Sequence, residues 1–341
     1  MEQNNYQGKL QHPVGSGFNA ASSAEDVIAG IDLTGKTAIV TGGYAGLGLE
    51  TTKVLSRAGA TVIVPARDVE KATKNLIGIS GVEVEFMDLM DAGSIAAFAE
   101  KFLASDRSLS ILINNAGIMW VPMTRDSRGY ESQLSTNHLG HFQLTARLWP
   151  ALKKANGARV VNLSSWGHHF SPFVFEDPNF ENRDYETLLG YGQSKTANIL
   201  FSLELDARAR EHGVSAYSVH PGAIVDSELG RHLSKEELIK LGVYDADGQV
   251  IYDASKGLKN LGQGASTQVW CATSPMLKDV GGVYCENTDV AEIDLGDDDP
   301  HKRMHGVTRI EGVMAYALDA ESARKLWTLS EQLTGQKFEV K

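Results

Sequence analysis

The chain has 341 residues, 42% of them hydrophobic and 22% charged, with a formal net charge of −11. That balance belongs to an ordinary globular protein, and the acidity, with no basic stripe, argues against nucleic acid as the main partner. Cys271 and Cys285 are the only cysteines and form neither a CxxC nor a zinc pattern, no apolar run reaches the length of a membrane span, and Met1–Gln11 lacks the order of a signal peptide.

These exclusions lead us to expect a cytoplasmic protein with reduced thiols and no metal site. Residues 1–30 are polar and read as an extension lying on the surface of a single domain spanning 31–335. Lys36–Thr41 reads as a short apolar strand. It runs directly into Gly42-Gly-Tyr44-Ala-Gly46-Leu47-Gly48, a helix from Leu49 to about Ala58, and a second strand, Ala60–Val64. A glycine loop between a strand and a helix is the setting in which glycines bind a dinucleotide. Gly42 permits the tight turn, Gly46 lets backbone approach a pyrophosphate, and Gly48 lets helix and strand pack closely.

The second strand ends Val64-Pro65-Ala66-Arg67-Asp68. An acidic residue about twenty positions past the glycine loop would take the ribose hydroxyls of NAD. Ala66 stands there instead, followed by Arg67, whose guanidinium can grip a 2′-phosphate. We therefore expect NADP(H); the plainer alternative is a surface arginine paired with Asp68 or Glu70.

Helices and strands go on alternating. We expect helices over 68–76, 94–103, 130–154 and 264–273, and strands over 82–86, 110–113, 158–163, 215–219 and 282–284. Such alternation implies an α/β fold, a doubly wound parallel sheet of Rossmann type with helices on both faces. Ligands bind outside the carboxyl ends of such strands. The glycine loop, Arg67, Asp88, Asn114, Ser165 and Pro221 all fall at such ends.

Gly190–Leu205 has helical apolar spacing and no proline. Tyr191 and Lys195, four apart, share a face of it. A cation beside a phenol favours the phenolate, so Tyr191 is expected to ionise below its ordinary pKa of about 10 and to serve as a general acid/base. The same pair is also what the surface of any amphipathic helix can offer.

With these motifs in order from Lys36 to Gly222, the chain resembles the short-chain dehydrogenase/reductase family. The resemblance rests on Thr41-Gly-x-x-x-Gly-x-Gly48, Asp88-Leu89, Asn114-Asn-Ala116-Gly117, Asn137, Ser165, Tyr191-x-x-x-Lys195 and Pro221-Gly222. Val160–Ser165, Gln193–Phe201, His220-Pro-Gly222 and Glu228–His232, with a long insertion between Ser165 and Tyr191, are similar to the retinol dehydrogenase and protochlorophyllide reductase group.

The resemblance implies four catalytic residues. Tyr191 is the proton donor or acceptor, Ser165 bonds the substrate oxygen, Lys195 lowers the tyrosine pKa and holds the nicotinamide ribose, and Asn137 holds a water leading to solvent. It implies cofactor contacts from Gly42, Tyr44, Gly46, Leu47 and Gly48, from Arg67, Asp88 and Leu89, and from Asn114, Ala116 and Gly117. Tyr191 and Lys195, and then Pro221, Gly222 and Ile224, complete the set. The chain departs from the family at Tyr44, at Pro65 inside a strand, and at Ala223–Ser227, where threonine is missing and Ser227 or backbone substitutes.

The expected activity is NADP-dependent carbonyl reduction or alcohol oxidation on a ketone, aldehyde or secondary alcohol, with homo-oligomers open. The alternative is an NADP(H)-binding regulator without turnover. The insertion 166–190 and a lid over 225–260 are expected to shape the substrate site. Trp166, Phe170, Phe173 and Phe175 read equally as a pocket wall or as cover for the sheet end. His168-His169 reads as pocket lining or as an exposed pair. Asp297–Asp299 reads as a solvated acidic turn, and the helix over Glu321–Leu333 as packing on the sheet or against a partner.

Overall fold

Short runs of β-branched and aliphatic residues form the centre of the molecule. The computed structural model describes residues 4–224, 243–245, 247–296 and 311–340, with positions 236 and 239. The long strands are β1 (Thr37–Val40), β2 (Thr61–Ala66), β3 (Val82–Phe86), β4 (Ile111–Asn114), β5 (Ala158–Leu163) and β6 (Val214–Val219). Shorter ones follow: β7 (Ala223–Ile224), β8 (Leu258–Lys259), β9 (Tyr284–Glu286), β10 (Asp289–Val290), β11 (Ile293–Asp294) and β12 (Val313–Met314). The main sheet runs β10-β9-β6-β5-β4-β1-β2-β3. Every neighbouring pair from β9 to β3 is parallel, and β10 closes the edge antiparallel to β9. The strand order reverses between β1 and β4, which opens a crevice at their carboxyl ends.

The residues of each strand point alternately to the two faces. Ala38, Val40, Val62, Val64, Ile111 and Ile113 pack under α1 (Ala24–Ile28), α2 (Gly46–Arg57) and a later helix, Leu261–Thr273. Ile39, Ile63, Leu112 and Val160 pack under α4 (Ala92–Ala104), α5 (Gly140–Ala155) and α6 (Thr187–Ala209). The short α3 (Val69–Asn75) follows β2. In chain order the Leu261–Thr273 helix is α7, and Ala320–Thr334 is α8. This is the expected α/β arrangement, in a single domain.

Pro65 lies inside β2, paired with Glu85 of β3. The amide of Val62 donates to Gly81 on the β3 side while that of Thr61 donates to Lys36 on the β1 side. That alternation aims the nitrogen of Pro65 at β1, beyond Ile39↔Ile63, where the pairing of the two strands has ended. The missing N–H therefore breaks no ladder bond.

The N-terminal segment is tied to the far edge of the sheet. Gln11, buried, donates to the carbonyls of Tyr284 and Ala291 at 2.7 and 2.8 Å, and Asp289 accepts from Val14, Gly15 and Ser16. Helix α8 packs on α5 and α6 rather than directly on the sheet. Its Trp327 stacks with Phe338 and meets Phe142 of α5 and Phe201 of α6. The face of α6 that amphipathicity leaves apolar is thus covered by the chain's own C-terminus, and each fully buried side chain there contributes about 1.5–3 kcal/mol. Among the described residues no helix is long and apolar enough to cross a membrane.

Candidate active site

Two of the glycines in the first loop have no room for a side chain, and a third is held by its backbone angle. A Cβ at Gly43 would meet Thr52 Oγ1 at 2.7 Å, and one at Gly48 would meet the Gly42 carbonyl at 2.4 Å. Gly42 itself has φ +66° and sits against Ala116. Gly46 differs. It has φ +51°, opens α2, and a Cβ there would meet nothing within 4 Å. The loop is closed toward the protein and open at the helix N-terminus, the shape that admits an anion to helix amides.

At the end of β2, Ala66 is buried and Arg67 exposed. Among the described residues Arg67 makes no ion pair: Asp68 caps α3 by accepting from the Lys71 amide at 2.9 Å. Asp88 is half-buried; its Oδ1 accepts from Met90, and Leu89 lies beneath Gly140. Asn114 turns inward. Its Nδ2 donates to Asn162 Oδ1 at 2.7 Å and Thr145 Oγ1 at 3.2 Å, and the residue is 1% exposed. Through its Nδ2 the side chain braces β4 against β5 and α5.

Thr41 joins the loops. Its Oγ1 accepts from the amides of Asn115 and Ala116, both at 2.9 Å, and lies 2.9 Å from His141 Nε2. With two donors already on that oxygen, the hydroxyl hydrogen goes to Nε2, so the proton of His141 sits on Nδ1 and is donated to the Asn137 carbonyl at 3.0 Å. Asn137 lies in a π-helical turn, Ser135–Leu139, between the short helix Ser132–Leu134 and α5. Its side chain bonds Ile118 on both polar atoms and Ser194 of α6. A π turn rotates the residues after it, and here it brings Asn137 beside Lys195; a Cβ on Gly117 would meet Asn137 Oδ1 at 3.1 Å and Lys195 Nζ at 3.6 Å.

Ser165 ends the β5 segment and caps a 3-10 turn, Trp166–Phe170, accepting from the Gly167 amide at 3.0 Å. Its neighbour Ser164 faces away and donates to the Lys195 carbonyl. The Tyr191 ring lies on Gly167, whose missing Cβ would otherwise meet the ring at 2.7 Å and Ser165 Oγ at 3.3 Å. Sequence reasoning missed this glycine; a small residue two places after a strand-end serine was its only signal. We expect Gly167→Ala to displace the tyrosine and lower turnover at least about tenfold, given how steeply misplacement costs rate, with the melting temperature little changed. Unchanged kcat would show that the contact is dispensable.

The charges around this pair differ from expectation. Tyr191 is 6% exposed, and burial pushes its pKa up to about 12, against the Ser165 hydroxyl bonded to it, which lowers it. Burial also brings Lys195 down to about 7. The lysine Nζ donates to the Leu163 carbonyl at 3.0 Å and lies 5.5 Å from the tyrosine ring centroid. Desolvation of the phenol outweighs the Ser165 hydrogen bond, so Tyr191 is a protonated donor at neutral pH.

His168 and His169 are neither exposed nor a lining. Both are buried, with their Nδ1 atoms 2.7 Å from the carbonyls of Ser165 and Trp166. His168 Nε2 also accepts from Met314 of β12. Phe173 joins the core under α6 with Phe175 packed on it, so these two cover the sheet rather than wall a pocket, while Trp166 remains half-buried beside Ser165. Among the described residues no three His, Cys, Asp or Glu gather as metal ligands. The first part of the expected lid, 225–235 with Ser227, and Asp297–Asp299 lie outside the described residues.

Burial holds His138, His141 and His220 neutral, with pKa values near 3, 4 and 3. The unfolded chain protonates them near 6.5, so each withdraws roughly 1 kcal/mol of stability per pH unit as pH falls from about 6.5 toward 4. The melting temperature should drop through this window, before the carboxylates titrate. A flat profile between about pH 7 and 5 would contradict it.

Over residues 36–238 the chain matches the family model described as short chain dehydrogenase. It belongs to the short-chain dehydrogenase/reductase family. Among its relatives, a protein named probable oxidoreductase from Streptomyces lividans is 40% identical over 304 residues, covering 87% of this chain and 97% of that one. Human retinol dehydrogenase 12 is 38% identical, covering 91% and 89%. A solved structure of an uncharacterised protein from Mycobacterium paratuberculosis superposes with a TM-score of 0.67 at 32% identity, over 92% and 98%. That likeness covers more of the chain than the segment the family model matches.

Proposed function

We propose that this family member transfers a hydride between NADP(H) and a ketone, aldehyde or secondary alcohol, with Tyr191 as the proton donor in reduction and the acceptor in oxidation. The reading is carried by the meeting of the Ser165 hydroxyl, the Tyr191 phenol and the Lys195 ammonium beside Gly117, at the crevice beyond the strand ends.

The glycine loop fits a dinucleotide, since Gly46 leaves open space at a helix N-terminus. Gly42, Tyr44, Gly46, Leu47 and Gly48 would hold the pyrophosphate, Asp88 and Leu89 the adenine side, and Arg67 a 2′-phosphate. The backbones of Asn114, Ala116 and Gly117 would meet the ribose that Lys195 also holds. Pro221, Gly222 and Ile224 would border the nicotinamide. When bound, the cofactor supplies the hydride.

The rest belongs to the protein. Ser165 and Tyr191 donate to the carbonyl oxygen, where charge develops. Tyr191, protonated at neutral pH, gives its proton to the alkoxide. Asn137 steadies Lys195 and gives it a path for a replacement proton. Alcohol oxidation needs the phenolate, so its rate rises with pH, while carbonyl reduction does not. The buried, free Cys271 and Cys285 suit a cytoplasmic address.

A screen of ketones and aldehydes, followed by loss of NADPH absorbance with NADH in parallel, tests the proposal. Turnover with NADPH is expected. Tight NADPH binding with no turnover on any carbonyl would favour a regulator that senses the cofactor.

A further inference from the structure

We propose that His220 is a positioning residue that clamps the Ser165 turn to the Pro221–Gly222 loop through a single acceptor atom, Nδ1. The inference rests on the reading above, in which Ser165 meets the substrate oxygen and the loop borders the nicotinamide.

His220 follows β6, and its own amide is bound to Cys285 of β9 at 2.9 Å. The ring turns back over the strand ends. Nδ1 accepts from the Trp166 amide at 3.1 Å and from the Gly222 amide at 3.4 Å. Trp166 is the residue after Ser165, and it starts the turn on which the Tyr191 ring rests through Gly167. Gly222, at φ +95°, is the apex of the loop. One buried lone pair therefore joins the segment that carries the serine to the segment that borders the cofactor. It also satisfies amides that no strand reaches.

The clamp works only while Nδ1 carries no proton, because a protonated Nδ1 would face two N–H donors. The surroundings keep it that way. Lys259 of β8 passes directly beneath the loop; a Cβ on Gly222 would meet its Cδ at 2.8 Å and its Cε at 3.2 Å. Lys259 is fully buried, and its Nζ has no hydrogen-bond partner among the described residues. Its charge and the His169 ring both add to burial in opposing a proton on His220. The carboxylates of Glu286 of β9 and Glu311 in turn favour a proton on Lys259. The lysine stem also fills the space under Gly222, which fixes the height of the loop.

Two substitutions separate an acceptor from a space-filler. His220→Asn offers an amide oxygen near the position of Nδ1 in a smaller side chain. His220→Phe keeps the volume and removes the acceptor. Hydrogen exchange of peptides spanning 163–170 and 219–224 reads the clamp directly, whether or not a substrate is known. In the wild type both amides should be protected. In His220→Phe both segments should exchange roughly 10- to 100-fold faster, and kcat for the best carbonyl from the screen should fall by a similar factor with KM little changed. His220→Asn should stay within about threefold of the wild type in both measurements.

Four results would overturn the proposal: unprotected amides in the wild type, protection in His220→Phe, an asparagine variant worse than the phenylalanine one, or an asparagine variant that does not fold. A wild type that protects both amides but reduces no carbonyl would instead sink the proposed reaction and leave the clamp standing.

Discussion

Tyr191→Phe should bind NADPH as the wild type does and lose roughly 100- to 10 000-fold in kcat, the range that general acid–base catalysis contributes. The substitution removes one oxygen. The ring still rests on Gly167, and Lys195 still donates to Leu163, so neither the fold nor the crevice has reason to change. What is lost is the proton delivered to the alkoxide and one of the two donors at the oxygen. Stopped-flow binding of NADPH alongside steady-state turnover separates the effects. Wild-type kcat in this variant would mean that another group moves the proton. A parallel loss of cofactor affinity would mean that the phenol mainly holds the ribose.

Arg67→Ala should weaken NADPH by roughly 10- to 100-fold and leave NADH nearly unchanged, since charge-assisted bonds to a 2′-phosphate contribute about 1.5–3 kcal/mol. The guanidinium is free to make them: it is exposed at the end of β2 without an ion pair among the described residues, and Asp68 is occupied at the start of α3. Ala66, in the place of the usual acid, offers nothing to ribose hydroxyls. Titration of the two cofactors against both proteins decides the matter. Equal losses for NADPH and NADH would remove the basis for NADP preference.

Much of this was legible because it is local. Val82–Phe86 and Ala158–Leu163 form strands with the bounds their composition suggested: the second is a mostly buried, β-branched central strand, and the first alternates valine with glutamate as a half-exposed edge strand does. The glycine loop reads from sequence because each glycine answers a steric demand set by its immediate neighbours. Tyr191 and Lys195 face one way because helical geometry fixes residues four apart. The long helix expected over 130–154 is broken into a short helix, a π turn and α5, which no periodicity could reveal, and the Asn137 site depends on that break.

The sequence by itself determined the order of strands and helices, the place of the phosphate loop, and which hydroxyl, amine and guanidinium lie at the strand ends. These follow from backbone periodicity and from sterics within a few residues. Only the tertiary structure decided what those groups are. It put Tyr191 and Lys195 in so little water that desolvation raises the phenol and lowers the amine. It turned Asn114 into a brace, buried His168 and His169, and laid α8 over the Tyr191 helix. It also brought His220 between two segments more than fifty residues apart. Burial and contact depend on parts of the chain that meet only after folding, and a linear pattern carries no term for them.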